Sequence, residues 1–309
     1  KEGFVLAPFF ANEDNPLLLM HADIHVCMDI NKDSEAYTPL KICEESDEKN
    51  HYHLDFANFH AQICEGQFQK LVLSRQLKLF ADQPIPVRDL FLRACRRYPH
   101  QFVALVSMQR AGTWLMATPE LLLSGKAGQW QTMALAGTRR ANGDSAEKSP
   151  LTISQWTKKD LMEQRYVTTY ITEILEHYAN DITVKGPYTS MAAQLLHLRT
   201  DFHFTLNEKQ RIGSLLSDLF PTPAVCGLPK DTALKFILDN EYINRRYYSG
   251  FCGVLQPEGT TNLYVSLRCM EIDVNHCTLY AGGGLLRESQ EEKEWQETEA
   301  KLQTMKVLL

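Results

Sequence analysis

From Phe68 to Phe80 the chain reads FQKLVLSRQLKLF, with apolar residues at alternate positions. A strand turns successive side chains to opposite faces, so Leu71, Leu73, Leu77 and Leu79 share one face. Phe68, Lys70, Val72, Ser74 and Gln76 take the other, less apolar face. On this pattern alone Lys70 reads as a solvated strand lysine, or as one that looks into a polar cavity. Long strands of this kind alternate with long helical patterns along the chain. That argues for one mixed α/β domain, with large sheets and helices packed outside them.

The opening runs GFVLAPFF, LLLM and ADIHVCMDI read as short strands, and EESDEKN as an exposed acidic loop. Helices are expected over about 52–66, 88–97, 153–178 and 207–219, and over DTALKFILDN. Strands are expected at FVALVSM, TWLMATPELLLSG, WQTMALAGT, DITVKG, YYSGFCGVLQP, TNLYVSLRCMEID and CTLYAGGGLL. RRANGDSAEKSP and FPTPAVCGLPK read as loops. Glu120 sits mid-strand in TPELLL, either as a partnered structural group or as a functional acid with a raised pKa. Arg268 shares a strand face with Tyr264 and Ser266, as a satisfied edge charge or as a fork for a buried carboxylate.

The last helical stretch holds the densest candidate chemistry. Glu294, Glu297 and Lys301 are three and four residues apart, which stacks them on one helix face. Such a face can hold a divalent cation beside an anionic ligand, although Glu/Lys patterns at this spacing also form ordinary solvated faces. Gly282, Gly283 and Gly284 lie just upstream, where bare backbone N–H groups can approach a carboxylate.

Bulk properties exclude some classes. A net charge of −6 gives no basic stripe for nucleic acid, and no apolar run approaches the length of a membrane span. The eight cysteines are scattered without a CxxC pair, as expected of reduced, mostly buried thiols in a cytoplasmic protein.

Ten linked segments carry a resemblance. KLVLSR, TPELLL, ALAGT, KDLMEQ, HL.T, PTPAVCG.P, Y.SG..G, SLRC, AGGG and EWQETEAK stand in the order and spacing of the chorismate-utilising enzymes. That family includes isochorismate, salicylate, anthranilate and aminodeoxychorismate synthases. The resemblance runs from about residue 57 to the end. It implies an α+β fold with large antiparallel sheets, a variable N-terminal part over 1–50 and a chorismate-binding catalytic domain over 51–309.

The resemblance also implies roles. Glu163 and Glu297, with Glu294 alongside, match the carboxylates that hold Mg²⁺, as hard oxygen ligands should. Arg268, Lys301 and the backbone of Gly282 and Gly284 match the groups that bind the enolpyruvyl carboxylate. Gly137 and Thr138 match a turn on the ring-carboxylate side, and His197 the histidine near the substrate ring. Lys70 matches the base of the water-using members, where ammonia-using members typically have glutamine. A lysine in that role needs its pKa pulled down by burial or positive neighbours. Glu120 matches the acid that protonates the departing C4 hydroxyl. Ala136 stands where aminodeoxychorismate synthases carry a nucleophilic lysine.

Lysine base, glutamate acid and alanine at the third position imply water addition to chorismate, giving isochorismate. Salicylate synthase is the nearest alternative, followed by anthranilate synthase and a non-catalytic binder. The expected partner is the small molecule chorismate alone, with no nucleic acid, membrane or obligatory protein partner. Menaquinone biosynthesis is the expected pathway. Two departures stand out: KDLMEQRY lacks the histidine that flanks the glutamate in many relatives, and Val225 and Cys226 are expected to line the pocket.

Overall fold

The computed structural model describes residues 2–30, 39–44, 48–140, 152–207 and 212–309. Two antiparallel sheets carry the fold. The first has eight strands in the order β2 (Leu18–Met20), β1 (Gly3–Ala7), β12 (Phe251–Leu255), β13 (Thr260–Val265), β7 (Leu121–Lys126), β8 (Gln129–Arg140), β10 (Leu195–Leu206) and β9 (Ala179–Ala192). The second runs β11 (Gly227–Leu228), β4 (Lys70–Ala81), β15 (His276–Leu285), β14 (Cys269–Ile272), β6 (Gly112–Thr118) and β5 (Phe102–Met108). A short β3 (Ile42–Glu44) also pairs with β4. The expected α+β class with large antiparallel sheets is what forms.

Helices cover the outer faces. Val167, Ile171 and Leu175 of α3 (Lys158–Tyr178) pack with Ala134, Phe202 and Leu263 of the first sheet, joined by α4 (Ile212–Leu219). On the second sheet, Leu77 and Leu79 meet Leu90 of α2 (Val87–Arg97) and Leu302 of α6 (Glu291–Lys306). Leu71 and Leu73 meet Phe56 and Phe59 of α1 (Glu48–Cys64) and Ile237 of α5 (Lys230–Asn240). The leucine face of β4 is thus the helix-covered face, and each buried leucine contributes about 1.5–3 kcal/mol. Between the sheets Leu6 and Cys252 of the first pack against Trp114, Met116 and Tyr280 of the second.

Several expectations need correction. TWLMATPELLLSG is two strands in different sheets, because the chain leaves β6 at Thr118 and enters β7 at Leu121. TNLYVSLRCMEID likewise splits into β13 and β14, and Arg268 lies between them at φ +46°. Arg268 therefore shares no strand face with Tyr264 and Ser266. ADIHVCMDI forms no strand, since no neighbour pairs with it and Ile24, Val26 and Met28 are all exposed. The 153–178 helix is a short 3-10 turn at Ile153–Gln155, then α3 after extended residues at Trp156 and Thr157. Arg139 and Arg140 of the RRANGDSAEKSP loop finish β8, while its remainder lies outside the described residues. Of EESDEKN, Glu48–Asn50 open α1 and 45–47 lie outside the described residues, as do 208–211 of the 207–219 helix.

Among the described residues no helix is long and apolar enough to cross a membrane. No disulfide joins the eight cysteines, of which four, not most, are buried.

Candidate active site

Two changes of sheet build the site. The links β6–β7 and β13–β14 cross side by side and are bonded to each other. Thr118 Oγ1 donates to the Val265 carbonyl at 2.6 Å, and the Val265 N–H donates to the Glu120 carbonyl at 3.0 Å. The Ala117 N–H donates to the Arg268 carbonyl at 3.0 Å. Glu120 and Arg268 are thereby fixed at the edge of one cavity. Both are buried. Burial raises the Glu120 carboxyl to about 8, against the opposing pull of Lys70, Arg268 and Lys301. Burial lowers the Arg268 guanidinium to about 10, so it stays charged at neutral pH.

The glycine strand forms another wall. β4 and β15 pair over their whole length, setting Gly284 opposite Val72 and Gly282 opposite Ser74. A Cβ on Gly284 would lie 2.1 Å from Glu163 Oε1 and 2.7 Å from Lys70 Cε. One on Gly282 would lie 2.8 Å from the Tyr248 hydroxyl and 2.9 Å from Ser74 Oγ. Gly283 points the opposite way, as strand alternation requires, toward Glu294 Oε2 at 3.4 Å and Glu297 Oε1 at 3.8 Å. Polar groups crowd the face that Gly282 and Gly284 present, which leaves no room for side chains there, while Gly283 has ordinary contacts only.

Three carboxylates meet three lysines here. Lys70 has no exposed surface and pairs with Glu163 at 2.9 Å. The solvated-lysine reading of the strand pattern is therefore wrong. Lys159 Nζ donates to Glu294 Oε1 at 2.6 Å, and Lys301 Nζ donates to Glu297 Oε1 at 2.6 Å and to the Gly282 carbonyl at 2.7 Å. Burial raises the Glu294 carboxyl despite Lys159. For Glu297, burial is outweighed by Lys301 and Lys159, and its carboxyl is lowered.

Local sequence explains these positions. Thr157 caps α3 through a capping box with Asp160, fixing where the helix starts and hence where Lys159 and Glu163 project. Gln164, beside Glu163, donates to the Ala134 carbonyl at 3.2 Å and to Thr200 Oγ1 at 3.0 Å. It ties α3 to β8 and β10.

Gly137 and Thr138 form no turn. They lie inside β8, where the register with β10 shifts between Leu196 and Leu198 and Gly137 takes φ +68°. That bulge aims the Gly137 carbonyl at His197 Nδ1, 2.7 Å away. His197 Nε2 is 3.0 Å from Arg268 Nη2. Burial, then the charge of Arg268, lowers His197 to about 3, so the ring is neutral. A carbonyl can only accept and a guanidinium can only donate. The proton therefore sits on Nδ1, and the Nε2 lone pair receives Arg268.

Glu120, Gly137, Thr138, Glu163, His197, Arg268, Gly282, Gly284, Glu297 and Lys301 all line the cavity, as does Ala136. Lys70 lies beneath Glu163, and Glu294 faces a neighbouring cavity that shares Thr138 and Glu297. Val225 lines the site, but Cys226 packs into the α1–α5 core instead. Sequence reasoning missed Tyr248 and Tyr280, whose stacked rings, 5.5 Å apart, floor the cavity. The tyrosine of the Y.SG motif is Tyr247, a core residue; its neighbour faces the site, so the signal was one position away.

Among the described residues no three metal-binding side chains are gathered ready for an ion. The donor set nevertheless fits a hard divalent cation, being carboxylate oxygens. Glu294 Oε2 is also buried without a hydrogen-bond partner, close to Glu297 Oε1 across Gly283.

Residues 13–309 match the chorismate binding enzyme family. The chain belongs to that family. Its relatives include isochorismate synthase DhbC of Bacillus subtilis, 33% identical over 254 residues, covering 79% of this chain and 64% of that protein. The vibriobactin-specific isochorismate synthase of Vibrio cholerae is 30% identical over 246 residues, covering 76% and 60%. The structure of MenF, the menaquinone-specific isochorismate synthase of Escherichia coli, matches with TM-score 0.80 at 27% identity, covering 89% of this chain and 65% of that one. The chain thus spans less than two thirds of the length of the curated relatives it matches.

Proposed function

We propose that this protein is an isochorismate synthase, adding water at C2 of chorismate while the C4 hydroxyl departs. One observation carries the reading: Glu120, a buried carboxyl raised to about 8, lines the same cavity as Glu163, which pairs at 2.9 Å with the fully buried Lys70. Lys70, paired with Glu163 in the resting protein, gives up its proton before it acts as the base and then takes one from the attacking water. The ring double bond shifts, and Glu120 gives its proton to the leaving C4 oxygen. One water enters and one leaves, so the reaction is close to thermoneutral and reversible.

Arg268, oriented by neutral His197, and Lys301 receive the enolpyruvyl carboxylate beside the backbone of Gly282 and Gly284. Gly137 and Thr138 line the ring-carboxylate side. Glu163, Glu297 and Glu294 would hold Mg²⁺, which supplies a counter-charge and template for the ring carboxylate. Ala136 at the cavity wall offers no amine, which favours water as nucleophile. The relatives described above include one specific to vibriobactin and one to menaquinone, and nothing in the cavity favours either pathway. The proposal therefore ends at isochorismate.

The test is to incubate purified protein with chorismate, with Mg²⁺ and then with EDTA, separating products by liquid chromatography and assaying pyruvate. Mg²⁺-dependent isochorismate without matching pyruvate is expected. Salicylate with equal pyruvate would make it a salicylate synthase, and unconsumed chorismate would make it a binder.

A further inference from the structure

Lys159 is a partly buried cation for which the proposed reaction has no role. It lies one helical turn before Glu163 on α3, and its side chain is 18% exposed. Its ammonium holds Glu294 Oε1 at 2.6 Å and feels the charges of Glu163 and Glu297 as well. It therefore stands among the same three carboxylates that the proposed function gives to Mg²⁺. The other two lysines of the cluster, Lys70 and Lys301, have work in the reaction.

We infer that Lys159 is a built-in competitor of the divalent cation, neutralising the carboxylates in the metal-free protein and leaving Glu294 when the ion binds. The inference rests on the metal-site reading. With three carboxylates and three ammonium groups the cluster is neutral. A dication added to it leaves two uncompensated positive charges in a buried place, which like-charge repulsion opposes. Lys159 is the lysine with room to yield. It lines a neighbouring open cleft, beside Arg139, Arg140, Asp160, Glu288 and Lys293. Glu288 offers its ammonium a carboxylate there, and the lysine side chain already reaches solvent. The unpartnered oxygen, Glu294 Oε2, faces Gly283 and Glu297, so the carboxylate is only half engaged by the lysine.

The alternative is that Lys159 merely positions Glu294, and the two roles move metal affinity in opposite directions. Mn²⁺ binding to the substrate-free protein is measured by electron paramagnetic resonance, for wild type, Lys159→Gln and Lys159→Arg. Glutamine keeps a hydrogen-bond donor for Glu294 but removes the charge. Lys159→Gln is expected to bind Mn²⁺ about tenfold more tightly, ~1.4 kcal/mol, and Lys159→Arg to bind like wild type. Should Lys159→Gln be poorly folded without metal, Mn²⁺ must raise its melting temperature by more than it raises wild type's. Binding by Lys159→Gln that is unchanged or weaker overturns the inference while leaving the metal site intact. If wild type shows no site-bound Mn²⁺, or Glu297→Gln binds it as tightly as wild type, the metal-site reading falls and the inference with it.

Discussion

Replacing Gly284 by alanine adds one carbon where the site has no space. That carbon would stand 2.1 Å from Glu163 Oε1 and 2.7 Å from Lys70 Cε, whereas ordinary contact begins at 3.4 Å. Gly284 has no left-handed backbone conformation, so the effect is steric rather than conformational. Backbone and both side chains are buried, and the Lys70–Glu163 pair must move by roughly 1 Å to make room. Overpacking of this kind costs about 1–3 kcal/mol, lowering the melting temperature by about 2–4 °C per kcal/mol in a protein of this size. A displacement near 1 Å of a reacting group costs about 100-fold in kcat/KM. Gly283 is the internal control. A Cβ there meets Glu294 Oε2 at 3.4 Å and Glu297 Oε1 at 3.8 Å, within ordinary contact. Gly283→Ala is expected to stay within about 0.5 kcal/mol of wild type in stability. Both variants are compared by thermal melting and by initial rates of isochorismate formation. Gly284→Ala with more than half of wild-type activity, or Gly283→Ala equally damaged, would refute the steric reading of this wall.

Glu120 must be protonated to act as the acid, so kcat/KM should fall as pH rises through about 8. Glu120→Gln should lose about 10²–10⁴-fold in rate, read by the same assay across pH. For stability, a carboxyl raised from 4.5 to about 8 favours the fold fully below pH 4.5 and loses that contribution as pH climbs to 8. His197, lowered from 6.5 to about 3, contributes stability that is present above pH 6.5 and lost as pH falls toward 3. Urea titrations from pH 4 to 9 should show Glu120→Gln flattening the alkaline side and His197→Gln the acid side. Lys70→Met strands a buried carboxylate and should cost about 3–5 kcal/mol. Adding Glu163→Gln should restore much of that stability but no activity, and a double variant as unstable as Lys70→Met would refute the pairing.

How much of this was legible follows from the range of each signal. Strand alternation is local, so it gave the faces of β4 and put Lys70 opposite the leucines. It could not tell that the polar face is covered, and so it could not choose between water and a polar cavity for Lys70. A change of sheet leaves almost no local mark. Pro119 was a local mark, but apolar residues resume at once after Glu120 and on both sides of Arg268, so each segment read as one strand. Helical spacing did align Glu294, Glu297 and Lys301, and the Glu297–Lys301 pair follows from it. Lys159 and Glu294 lie far apart in sequence and on different helices, so their pairing depends on tertiary packing that no window of residues contains.

The most direct test of water addition is isotopic. Chorismate is converted in H₂¹⁸O with Mg²⁺, and isochorismate is analysed at early times by mass spectrometry. Attack by solvent at C2 predicts one ¹⁸O in every new product molecule, placed on the C2 oxygen by fragmentation, and loss of that product in Lys70→Met. Isochorismate that forms without ¹⁸O would mean the C4 hydroxyl migrates within the molecule, and would contradict the assignment of Lys70 as the base for water.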